Sequence, residues 1–246
     1  MRLLAARSLF PLIALSAVPL AQAQTAISST FDLSVFADAD TADGIDATDS
    51  FSDSQGATLS SYSGTVTATD TLASGSGAVT GTSSATVSWT DAGHGSLLIR
   101  DHGWDMTHPD EAYVALDTTN TALPVWSYQF MATSDGTFTL DYDVSATGDK
   151  FGLDGFVMKW SGPGGDGVVF NAVDPTATGS FVRSLTNGVI YTVSINVGSG
   201  ILVGGSNGRS GRMSADIDFK IESVPEPATL GVLALGLVRL LKRKKN

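Results

Sequence analysis

The carboxylates Asp38, Asp40, Asp43, Asp46 and Asp49 recur every two or three residues around Gly44, and Asp53 follows them. Acids spaced this closely about a turn gather oxygen donors, of which a calcium ion takes roughly six to eight. An EF-hand loop needs its third acid one place earlier and a Glu where this chain has Asp49. The segment therefore fits a calcium loop of another geometry, or an acidic solvated loop. A second cluster holds the three histidines, His94, His102 and His108, interleaved with Asp101, Asp105, Asp110 and Glu111. Imidazole and carboxylate together suit Zn2+ or Fe2+, and a His–Asp pair can serve as a general base. A metal-dependent hydrolase centred on His102 and His108 would use such a set. Loop histidines bonded to nearby acids account for the same residues, and no H-E-x-x-H pattern is present. Trp104 stands in the polar run 102–105, which reads as a loop between strands at 97–100 and 112–117. A ring in such a loop can stack on a sugar face, and with calcium it would make a carbohydrate-binding module. Trp160, before a Gly-Pro turn, is a second candidate of that kind.

Other strings only imitate chemistry. Residues 162–167 fit G-x-G-x-x-G but contain Pro163 and open no helix, so they predict no dinucleotide site. Residues 204–208 fit G-x-S-x-G without a strand-to-helix elbow behind them. Glu111 and Glu222 are the body's only glutamates, and nothing in their setting pairs a raised-pKa acid with a nucleophile for glycoside hydrolysis. No catalytic constellation results, and a non-enzymatic protein is expected.

The elements that must position these residues read as strands. Phe138, Leu140, Tyr142, Val144 and Ala146 alternate with polar residues, as do Val189–Val197 and Ala215–Ile221. Trp126, Tyr128 and Phe130 form one aromatic stripe, and Phe156, Met158 and Trp160 another. Each run puts one face on a core and one in water. Thr65, Thr67, Thr69 and Thr71, then Thr80 through Thr90, predict a long hairpin with a hydroxyl-rich outer face, an ordinary solvated β-face stabilised by cross-strand Thr pairs. Turn signals separate the runs at Ser134-Asp135-Gly136, at Gly162-Pro163-Gly164-Gly165, and at Thr186-Asn187-Gly188, where Asn-Gly predicts a hairpin. Many short strands with Gly, Asn and Pro turns point to an all-β fold, an antiparallel β-sandwich of jelly-roll type. Residues 24–59 look less regular and read as a flexible acidic arm.

Both ends carry processing signals. Arg2 and Arg7 precede an apolar core at 9–20, and Ala21-Gln22-Ala23 is an A-x-A site, so signal peptidase would leave a mature chain starting at Gln24. At the other end Pro225 and Pro227 make residues 224–227 a stiff, non-helical strap. Residues 229–241 are apolar apart from Thr229 and Arg239, which can snorkel, and are somewhat short of the roughly 20 residues of a comfortable span. Lys242, Arg243, Lys244 and Lys245 then favour a cytoplasmic C-terminus.

That order resembles the PEP-CTERM sorting signal, over residues 224–246 alone. Val224, Pro225, Glu226, Pro227 and Ala228 match the motif, and Lys242, Arg243, Lys244 and Lys245 the basic stop. The resemblance implies an exosortase as processing enzyme and passage through the general export machinery. It implies a C-terminal transmembrane sorting helix held transiently in the inner membrane, then a place on the surface or in the extracellular matrix of a Gram-negative bacterium. Association with exopolysaccharide or biofilm material follows from the same likeness. The chain thus divides into a signal peptide (1–23), an acidic irregular segment (24–59), a β-sandwich body (60–223) and the sorting tail (224–246).

Composition bounds the rest. Half of the 14 Lys and Arg lie in the two signals, whereas of the 25 acids only Glu226 does, leaving the body with seven cations, 24 acids and a formal charge of −17. No Lys or Arg occurs between Gln24 and Ile99. Such a body repels nucleic acid and anionic lipid, and suits divalent cations and hydrated matrices. Without cysteine, the domain is held by its core or by bound ions, with calcium the candidate cofactor.

Overall fold

The computed structural model describes residues 24–39, 47–72, 77–107, 111–115, 125–148, 155–163, 167–172, 176–198, 200–204 and 209–224. The strands are β1 (Gln24–Asp38), β2 (Ala47–Gln55), β3 (Tyr62–Thr71), β4 (Ala78–Asp91), β5 (His94–Thr107), β6 (Glu111–Ala115) and β7 (Trp126–Ala132). They continue with β8 (Gly136–Gly148), β9 (Gly155–Ser161), β10 (Gly167–Ala172), β11 (Ala177–Leu185), β12 (Ile190–Gly198), β13 (Gly200–Gly204) and β14 (Arg209–Ser223). No helix occurs among the described residues. The strands form two antiparallel sheets. One is eight-stranded, in the order β10-β9-β12-β7-β1-β6-β13 with β2 on β1, and the other is six-stranded, in the order β11-β8-β14-β5-β4-β3.

Aromatic residues join the sheets. Tyr128 and Phe130 of β7, with Trp160 of β9, meet Phe138 of β8, Phe219 of β14 and Trp89 of β4. Ring centroids are 4.8 Å apart for Trp89–Tyr128, 4.9 Å for Phe138–Trp160 and 5.4 Å for Trp126–Phe219. The first pair is edge-on and the other two are tilted, at separations where aromatic pairs contribute about 0.5–1.5 kcal/mol each beyond burial. The alternations at 138–146, 189–197 and 215–221 lie in β8, β12 and β14. Trp89, Trp126 and Trp160 all belong to this core, so Trp160, at 6% exposure, offers no ring to a sugar.

The threonine-rich hairpin is β3–β4, with Thr65 opposite Ser84, Thr67 opposite Thr82 and Thr69 opposite Thr80. The last pair is hydrogen-bonded at 3.0 Å. The turn at Thr186-Asn187-Gly188 differs from expectation. Gly188 has the positive φ of 80° that its place after Asn requires. Yet β11 pairs with β8 in one sheet, and β12 with β7 and β9 in the other. The Asn-Gly turn is an arch between sheets, not a hairpin, because Phe181 and Tyr191 on either side both face the shared core.

Residues 24–39 and 47–59 form no flexible arm. β1 runs its full 15 residues with Phe31, Leu33, Val35 and Ala37 buried, and β2 pairs along it from Ala47 to Gln55. A bulge between Ala26 and Ser28 shifts the phase of β1, and the Asp- and Ser-rich β2 has low strand propensity; both features hide strands from a search for alternation.

β5 holds the same device in stronger form. Leu97 and Ile99 point inward; then His102, Trp104 and Met106 do. Ile99 opposes Ala215 of β14 while His102 opposes Met213, so three steps of β5 face two of its neighbour, and β4 shows the matching shift. The extra residue is Asp101, at φ 53°. A bulge that places one residue in the left-handed region inverts which side chains face the core, and Asp tolerates that region better than most residues. Gly103 follows because a Cβ there would collide with the Gly211 carbonyl oxygen. Asp101→Val should destabilise the body by about 1–2 kcal/mol and Asp101→Gly should be neutral or mildly stabilising, as measured by urea unfolding; equal losses in both would mean that the backbone at 101 is not the constraint.

Candidate functional site

The structure does not bring the acids of the calcium candidate together. Asp49 lies on β2 opposite Val35, and both its oxygens are engaged. Oδ1 accepts the Ser50 amide and Oδ2 the Thr67 amide of β3, each at 2.9 Å. Asp70 mirrors this from β3, its Oδ2 accepting the Ala39 amide at 2.6 Å. These carboxylates close the side of the sandwich where the edge strands β2 and β3 meet, satisfying backbone donors that an edge would otherwise leave open. Asp53 accepts Gln55 Nε2 at 2.9 Å. Asp38 is buried at the end of β1, opposite Tyr113. Asp40, Asp43 and Asp46 lie outside the described residues. Among the described residues no three His, Asp or Glu side chains converge as a metal site would require.

The histidine cluster separates as well. His94 is exposed at the tight β4–β5 turn, and His102 points inward on the same strand. Eight residues of strand place them roughly 26 Å apart. The expected loop at 102–105 is the continuous second half of β5, the bulge having disguised it. His102 is 2% exposed, with Nδ1 3.0 Å from Ser83 Oγ, and burial lowers its pKa to about 4. A neutral imidazole shut away from solvent is no base for a substrate. Trp104, two residues on, is wholly buried, so its ring is a core element and not a surface platform for a sugar. His108 lies outside the described residues.

One constellation was not singled out from the sequence. Asp91 and His94 bracket the β4–β5 turn, His94 Nδ1 lying 3.0 Å from both Asp91 oxygens. Partial burial opposes ionisation of Asp91, but the Gly93 amide at 2.6 Å and the His94 ring outweigh it and hold the carboxyl below its usual range. Beside this pair the outer face carries a shallow polar depression of about 210 Å³, lined by Ser88, Thr90, His94, Ser96 and Asp218 among others. The signal that could have found it is the D-x-G-H spacing at a two-residue turn. The arrangement orients an imidazole, and no nucleophile is bonded to that imidazole among the described residues.

Of the residues expected to carry sorting and signal cleavage, Gln24 begins β1 and Val224 follows β14 directly. Ala21, Ala23, Pro225, Glu226, Pro227, Ala228 and Lys242, Arg243, Lys244 and Lys245 lie outside the described residues.

The buried His102 has a consequence for pH. Its folded pKa near 4 lies below the ordinary 6.5, so the unfolded chain takes up a proton that the folded one refuses. The stability linked to His102 is complete above pH 6.5 and is lost as pH falls towards 4, a change on the order of 3 kcal/mol. Denaturant unfolding across this window should show the wild type losing that much more than His102→Gln; parallel curves would mean that the folded protein protonates His102 freely. Compared with known proteins, the chain matches no family model and no curated relative.

Proposed function

We propose that the chain is an exported, non-enzymatic β-sandwich that a PEP-CTERM-type tail delivers to the cell surface or extracellular matrix. The observation that carries this is the order of residues 224–245: the Val-Pro-Glu-Pro-Ala strap, the apolar run, and four consecutive cations. Folding of 229–241 as a transmembrane sorting helix, with the cations on the cytoplasmic side, would hold the body outside until an exosortase-type enzyme cuts it free. The N-terminal signal, removed by signal peptidase before Gln24, would open the same route. The chain changes sheet between β2 and β3, between β5 and β6, and repeatedly from β7 on, which supports a jelly-roll wrapping. The acidic, hydroxyl-rich exterior suits a hydrated matrix, and exopolysaccharide is the proposed neighbour.

The competing readings have less support. A carbohydrate-binding module would need Trp104 at the surface and Asp49 free, and a hydrolase at His102 would need that ring open to solvent. Calcium would then depend on Asp40, Asp43 and Asp46.

Replacing Glu226 by Ala, or deleting residues 242–246, should leave full-length protein in the inner membrane, where the wild type yields a shorter exported form. Mass spectrometry of both fractions reads the outcome. Normal maturation of the two variants, or recovery of exported protein that still ends at Asn246, would refute the proposal.

A further inference from the structure

Both ends of the body emerge from one end of the sandwich, and each is held to its last residue. Gln24 opens β1 opposite Ala132 and is 3% exposed. At the other terminus the Ile221 amide donates to the Gly93 carbonyl at 2.7 Å and the Val224 amide to the Asp135 carbonyl at 2.9 Å. Asp135 Oδ1 also accepts the Asn187 amide at 2.8 Å. The turns at 91–94, 134–136 and 186–188 therefore form one end face with both termini in it. There is almost no slack beyond. Thr229 comes five residues after Val224, at most about 17 Å away.

This end also carries exposed apolar side chains. Val182, Ile190 and Val224 are the large hydrophobics more than half exposed among the described residues. Val224 adjoins Asp135, Ile190 opens β12 opposite Met131, and Val182 lies opposite Thr139, itself opposite Lys220. Some of the polar groups here are paired, Lys220 with Glu222 at 3.4 Å and Asp91 with His94 at 3.0 Å, while Asp135 is held by the Asn187 amide.

We infer that, while the tail is attached, this end face rests on the bilayer surface, and the tip of the β3–β4 hairpin points away from it. The inference depends on the tail being a membrane anchor, as proposed above. The short tether leaving this face keeps it within about 17 Å of the span, and its exposed apolar side chains suit zwitterionic headgroups better than the acidic sheet faces do. The far tip stands roughly 45 Å away along the 14 residues of β4.

The chain has no cysteine, so single labels can be placed by Thr186→Cys at the end face and Thr71→Cys at the far tip, both exposed positions. The labelled mature chain, Gln24 to Asn246, is reconstituted in phosphatidylcholine vesicles containing a headgroup-nitroxide lipid and recovered by flotation. The label at 186 should be quenched several-fold more than that at 71. Floated protein with equal quenching at the two sites, or stronger quenching at 71, would overturn the orientation alone. Failure of the chain to float would overturn the anchor reading, and the orientation with it.

Discussion

The rest of the molecule depends on the aromatic contact between β7 and the sheet facing it. Without disulfides, only the connecting segments of the chain join the two layers covalently, so apolar burial across the sandwich must hold them face to face. Tyr128 shows how tightly this contact is tied to the end face. Its ring packs edge-on against Trp89 and stacks on Phe130, while its hydroxyl donates to the Ala92 carbonyl at 2.5 Å. Burial, and to a lesser extent the charge of Asp91, raise its pKa and keep that hydroxyl a donor. One side chain thus links the core to the turn that presents Asp91 and His94.

How much of this was legible in the sequence depended on phase. Where alternation runs unbroken, as in β8, β12 and β14, strand and buried face follow directly from the residues. It failed where a bulge inverted the alternation. In β1 the shift near Ser28 made a central strand look irregular, and in β5 Asp101 made His102 and Trp104 look like residues of a polar loop. The cost was greatest for function, since the two side chains with the richest chemistry became core residues once the phase was corrected. The Asn-Gly turn was placed correctly but its partner strands were not, because a two-residue turn carries no information about which sheet receives the next strand. Local sequence specifies the turn, and pairing across the sheet specifies the topology.

The acidic excess has a structural counterpart on the outer face of the six-stranded sheet. Asp143 lies opposite Asp216 and Asp141 opposite Asp218 across β8 and β14, an arrangement of like charges that opposes pairing. Arg100 reaches Asp216 at 2.5 Å, and Thr178 donates to Asp143 at 2.9 Å. These exposed contacts relieve part of the repulsion, and solvent screening relieves more. The strands stay paired because their opposite faces carry Leu140, Val144, Ala215, Ile217 and Phe219 into the core. Hydrophobic burial on one side tolerates the charge pattern on the other, which keeps the exterior strongly hydrated.

The last strand has a singular place in this scheme. Among the described pairings β14 alone connects β8 and β11 to β5, β4 and β3. Until it inserts, the six-stranded sheet consists of two separate pieces, each with an open edge. β1 has a similar dependence, since its partner β7 lies about a hundred residues further along the chain. Pairings of such long range close late in folding, so the sandwich is complete only when the residues just before the Pro-Glu-Pro strap are in place. With one residue between the end of β14 and Pro225, force on the strap is transmitted to the strand whose loss would divide the sheet. Integrity of the body is therefore mechanically coupled, through β14, to any pull at its C-terminal end.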